Sequence, residues 1–129
     1  MAQYTLSKAE RLNSKTMIGR LFSGGNKSFP AFPLRVVYMW LEPEEGVAPA
    51  SMMVSVSKKR FKRAVKRNLV KRQVREAYRK NKFILQEALQ EKNKHLVLAF
   101  IWLDSNIHAS AEVESKVKKL LYHIVESME

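Results

Sequence analysis

Apolar residues change rhythm several times along this chain, and each change marks an element. Leu12, Met17, Ile18, Leu21 and Phe22 recur at the three-and-four spacing of one helix face. Ser7-Lys8-Ala9-Glu10 fits a capping box, and Ser14 offers a second helix start. Gly24-Gly25 ends that helix, because glycine accepts the left-handed conformation that follows a helix C-terminus. Residues 26–33 read as a loop, with Pro30 and Pro33 opposing regular structure. Leu34–Leu41 is rich in β-branched and aromatic types and predicts a strand. After a turn at Glu42–Gly46, Met52–Ser57 predicts a second strand, with Val54 and Val56 on one face and Ser55 and Ser57 on the other. The two strands are expected to pair as an antiparallel hairpin.

The period then lengthens. Val70, Val74, Ala77 and Tyr78 form a core-facing helical stripe, and Asn68, Lys71, Arg72, Arg75 and Arg79 fall on the opposite side. Phe83–Gln90 continues as helix after a break near Asn81. His95–Leu103 is an almost unbroken apolar run, as expected of a strand covered on both faces. Glu112–Glu126 predicts a last helix with Val113, Val117, Leu120, Leu121, Ile124 and Val125 inward. The order α-β-β-α-β-α implies an α/β (α+β) two-layer sandwich, with residues 1–129 as one domain.

Charge changes this picture. Thirteen of the 24 Lys and Arg residues lie between Lys58 and Lys82, with one acid, Glu76, among them. That stretch carries +12, the net charge of the whole chain, and the remainder sums to zero. A solvated charged face normally mixes its signs, whereas so concentrated a cation invites a polyanion partner. A membrane-surface helix would need a broad exposed apolar face, and here that face is narrow with strands to cover it. No apolar run approaches the length of a spanning helix, and the first residues lack the pattern of a secretory signal. The absence of cysteine excludes disulfides and thiolate metal sites, and it suits a reducing cytoplasm.

Autonomous chemistry finds little support. Asp104 is the single aspartate, and the glutamates scatter, so no acidic set suggests a two-metal nuclease. His95, His108 and His123 lack ligand spacing with one another and read as structural. No nucleophile elbow, P-loop or dinucleotide fingerprint occurs. Catalytic and metal-ligating residues are therefore expected to be none. Between nucleic acids, a basic helix flanked by strands suits structured RNA better than a major-groove reader, which would want a helix-turn-helix pair. Phe22 and Tyr38 are candidates to stack on unpaired bases, with core packing as the competing role.

Val54-Ser55-Val56-Ser57-Lys58-Lys59, then Ala64-Val65-Lys66-Arg67-Asn68-Leu69-Val70-Lys71-Arg72 and Arg75-Glu76-Ala77-Tyr78-Arg79, resembles the bacterial ribonuclease P protein subunit and its signature helix. The likeness extends over most of the chain. It implies a ribosomal-protein-S5-domain-2-like sandwich with a left-handed βαβ crossover. It implies assembly with a catalytic RNA that removes the 5′ leader of precursor tRNA using Mg²⁺ held through the RNA, as a cytoplasmic monomer in a 1:1 complex and without a membrane. Carried over by position, the RNA-binding residues are Lys58, Lys59, Arg67, Asn68, Lys71, Arg72 and Arg75, to which Lys66 and Arg79 are added for their charge on the same helix. The leader-binding cleft is Ile18, Phe22, Tyr38, Ser55 and Ser57. Two positions depart from the pattern: Leu69 replaces an arginine and Ile18 an aromatic. A non-catalytic RNA-binding module of ribosomal or RNA-chaperone type is the alternative function.

Overall fold

The computed structural model describes residues 7–24 and 26–128. Met1–Leu6, Gly25 and Glu129 lie outside them, and with them the expectation about a secretory signal and half of the Gly24-Gly25 helix stop. The described residues begin with a 3-10 turn, Lys8–Glu10, in which the Ser7 N–H donates to Glu10 Oε1 at 3.0 Å. Next comes helix α1, Lys15–Phe22, capped by Ser14, whose Oγ accepts from Met17 N at 3.3 Å. Gly24 then takes φ +94°, as a helix stop requires. Leu12 precedes α1 instead of joining it. Its N–H donates to Met52 O at 2.8 Å, and Arg11 bridges to Met52 in parallel, so this stretch lies along a sheet edge.

Strands β1 (Lys27–Ala31), β2 (Leu34–Leu41), β3 (Ala50–Ser55) and β4 (His95–Trp102) form one sheet in the order β1-β2-β4-β3. Two expectations are corrected. Residues 26–33 are not simply a loop: Lys27–Ala31 pairs antiparallel with β2, Pro30 opposite Arg35. As an edge strand β1 carries one ladder only, so a proline without N–H is accommodated there. The β2–β3 hairpin does not form either. β4 inserts between the two, antiparallel to β2 and parallel to β3. The apolar run of β4 is what this central place demands, since burial on both faces favours continuous hydrophobicity over alternation.

Helices α2 (Ala64–Asn81), α3 (Phe83–Lys92) and α4 (Ser110–Glu126) complete the chain. The larger core lies between one sheet face and α2, α3 and α4. It joins Leu34, Val36, Tyr38, Met52, Val54, Leu96, Leu98, Phe100 and Trp102 to Val70, Val74, Ala77 and Tyr78 of α2 and to the predicted inward residues of α4. On the opposite face α1 buries Leu21 against Val97 and Ala99, with Met17, Val37, Met39 and Met53 around it. Lys82, at the α2–α3 junction, is 2% exposed and pairs with Glu10 at 2.8 Å. One of the thirteen clustered cations therefore staples the N-terminal turn to the helical layer and leaves the surface. Burial acts to raise the Glu10 pKa, but hydrogen bonds from Lys82 and the Ser7 N–H outweigh it and hold the carboxyl below its usual value.

Candidate nucleic-acid interface

The cationic ridge begins where β3 ends. Arg60 N and Phe61 N both donate to Ser57 O, at 3.1 and 3.4 Å, and the buried Phe61 ring anchors this turn to the core. Lys58 and Lys59 are thereby left exposed on it. Arg67, one turn into α2, donates from Nη1 to Phe61 O and Lys62 O, both at 2.8 Å. Its guanidinium thus fixes the loop entering the helix as well as adding charge.

Along α2 the buried stripe Val70, Val74, Ala77 and Tyr78 faces the sheet, so helical geometry drives Asn68, Arg72 and Arg75 outward, with Lys66 exposed near the start and Lys71 at the flank. Arg79 is half-buried and pairs with Glu76 on the same helix, Nε to Oε2 at 3.1 Å and Nη2 to Oε1. The Arg79 hydrogen bond holds the Glu76 carboxyl below its ordinary range. The nine residues predicted to bind RNA therefore lie on one loop and one helix, with Arg67 and Arg79 engaged within the protein.

The predicted cleft divides. Ile18 and Phe22, four residues apart on α1, are half-buried and 43% exposed. Ser55 follows Met53 on the sheet face that α1 crosses, and Ser57 is exposed two residues beyond. Tyr38 is not among them. It points to the other face, 2% exposed, and its hydroxyl donates to Ser127 Oγ at 3.1 Å while Trp40 meets its ring edge-on. The expectation that Tyr38 stacks on a base is corrected: it belongs to the core under α4. Leu34–Leu41 is apolar at nearly every position, so its sequence does not reveal which alternate set faces which layer. The open face is lined there by Val37 and Met39, and by Arg35, whose Nη1 donates to Ser28 Oγ at 3.1 Å.

One cluster escaped the sequence reading. His108 holds Asp104 Oδ2 on Nε2 at 2.7 Å and Glu112 Oε2 on Nδ1 at 2.8 Å, with the Trp102 ring edge-on at 5.4 Å. The hydrogen bond to Asp104, then that to Glu112, raises its pKa. The spacing of four residues on either side was the available signal. This clamp shapes the loop from β4 into α4, and among the described residues no group of side chains is suited to hold a metal ion.

A four-stranded sheet layered with helices, one of which displays cations from an apolar underside, defines an α/β protein built to bind a polyanion. The family model for ribonuclease P matches residues 6–125. The ribonuclease P protein component of Porphyromonas gingivalis strain W83 is 48% identical over 121 residues, covering 94% of this chain and 87% of that protein. That of Chlorobaculum tepidum is 36% identical over 128 residues, covering 90% and 82%. Among solved structures, the Staphylococcus aureus RNase P protein superposes with TM-score 0.65 at 18% identity over 91% of this chain and 96% of that one. The Thermotoga maritima RNase P protein gives 0.58 at 22% identity over 93% and 98%. These two establish likeness of fold. The chain belongs to the ribonuclease P protein family, as the protein subunit of that ribonucleoprotein endoribonuclease. Among the described residues no helix is long and apolar enough to cross a membrane.

Proposed function

We propose that this subunit grips the RNA of ribonuclease P with the outer face of α2 and guides the 5′ leader of precursor tRNA across the sheet face beside α1. Lys58, Lys59, Lys66, Asn68, Lys71, Arg72 and Arg75 meet phosphates, with Arg67 and Arg79 adding positive potential from their internal ties. Guanidinium groups offer a planar fork to phosphate oxygens, and ammonium groups act as mobile point charges. Ile18, Phe22, Ser55 and Ser57 border the leader path. Phe22 supplies its stacking ring and the serines its hydroxyl donors.

The observation that carries this reading is the division of α2 into a buried apolar underside and an outward cationic face. Bond cleavage is assigned to the RNA. Mg²⁺ is placed with RNA phosphates, and the protein's role is to neutralise charge so that RNA and substrate approach at low ion concentration. A monomer bound 1:1 in the cytoplasm fits this role. The test is reconstitution: purified protein, its cognate RNA and precursor tRNA are combined at low Mg²⁺, and leader release is timed. Faster release than with RNA alone is expected. An equal rate would refute the proposal.

A further inference from the structure

The cationic face of α2 has an apolar border that the core does not use. Val65 is 78% exposed and Leu69, four residues on, 36% exposed, while the underside of the helix is already filled by Val70, Val74, Ala77 and Tyr78. The same helical row continues to Gln73. Its Nε2 donates to His108 O at 3.0 Å and to Ser110 Oγ at 3.1 Å. This joint brings the loop from β4 into α4 to a position one turn from Leu69. On that loop Ile107 precedes His108 and is 41% exposed. Phe32, at the tip of the β1–β2 hairpin, is 58% exposed and lies edge-on to the His108 ring at 6.1 Å. The loop, the hairpin tip and the helix thus present exposed apolar side chains around one hydrogen-bonded joint.

We propose that Phe32, Val65, Leu69 and Ile107 form a non-ionic rim that receives an unstacked nucleobase of the partner RNA. The occupant follows from charge. Lys66, Asn68 and Arg72 adjoin Val65 and Leu69 on α2, so whatever covers the rim also meets the phosphate-binding face. A nucleic-acid strand supplies both halves, a flat apolar base for Phe32 and the aliphatic groups and a phosphate for the cations. The Asp104 and Glu112 carboxylates, four residues to either side of His108, are engaged by its ring, which reduces their repulsion of that phosphate. The inference rests on the reading of α2 as the RNA-gripping element and adds a contact of a different chemical kind.

The difference in kind supplies the test. Phosphate contacts release counterions and steepen the dependence of affinity on salt, whereas base stacking does not. Affinity of the full chain for its cognate RNA is measured across salt concentrations for wild type, Leu69→Ser, Phe32→Ala and Arg72→Ala, with a thermal melt verifying that each is folded. Leu69→Ser and Phe32→Ala are expected to weaken binding roughly 5- to 100-fold at every salt concentration with an unchanged slope. Arg72→Ala is expected to flatten the slope by about 0.7–0.9. Chemical probing at saturating protein should reveal an unpaired nucleotide protected by wild type and released by Phe32→Ala. Wild-type affinity in both apolar variants, as a protein partner for this rim would give, overturns the inference. An unchanged slope in Arg72→Ala overturns instead the reading beneath it.

Discussion

Tyr78 carries its hydroxyl into the core beneath α2, edge-on to Phe100, and meets no hydrogen-bond partner among the described residues. Burial, with the negative charge of Glu10 second, pushes its pKa upward, so the group stays neutral at any ordinary pH. An unpaired buried hydroxyl costs about 1–3 kcal/mol. Tyr78→Phe should therefore leave stability unchanged or raise it by about 1 kcal/mol, read from the midpoint of urea unfolding. A clear loss would mean that the hydroxyl is satisfied by water. Tyr38 offers the contrast, because its hydroxyl reaches Ser127 across 89 positions of sequence. Nothing local announces such a partner. The helix residues Val70, Val74, Ala77 and Tyr78 were legible because a period of 3.6 separates two faces with different chemistry. The orientation of Tyr38 was not, because Val37, Tyr38 and Met39 are all apolar and alternation needs contrast.

At the scale of elements, legibility followed the same division. The helices, β2 and β4 appear close to where their patterns place them, and the basic side of α2 does face outward. Strand β1 was hidden by Pro30, whose prohibition holds for a central strand and lapses at an edge. Strand order was hidden because proximity in sequence favours a β2–β3 hairpin, while the long apolar β4 needs neighbours on both sides. The attachment of the first turn was hidden because Glu10 and Lys82 lie 72 positions apart. That pair yields a prediction. The folded Glu10 pKa is depressed, so its contribution is complete above the unfolded value near 4.3 and disappears as pH falls through the folded value. Glu10→Gln takes one negative charge from beside the Lys82 ammonium and should lower stability at pH 7, by up to about 3 kcal/mol. In acid the wild type loses the same charge. Urea titrations of wild type and variant should therefore converge below the ordinary glutamate range, and a gap constant with pH would refute the pairing.

At the scale of the whole molecule, a net charge of +12 lies largely on one loop and one helix. Like charges so close together oppose the compact state, and mobile ions screen them over a distance of about 10 Å at 0.1 M salt. The thermal midpoint of the RNA-free protein is expected to rise between 10 mM and 0.2 M salt, and calorimetry would register it. A flat or falling midpoint would show that the repulsion is relieved within the protein. RNA binding to the folded form should raise the midpoint further, by mass action.

The placement of β4 also governs how this chain is made. β2 and β3 leave the ribosome first, each with an unfilled edge, and their proper neighbour is synthesised some forty residues later. Until His95–Trp102 emerges, the hairpin absent from the finished protein is the nearest pairing open to those strands. Nascent α2 packs chiefly against α4, the last helix made, so its cationic face is among the last surfaces to be set.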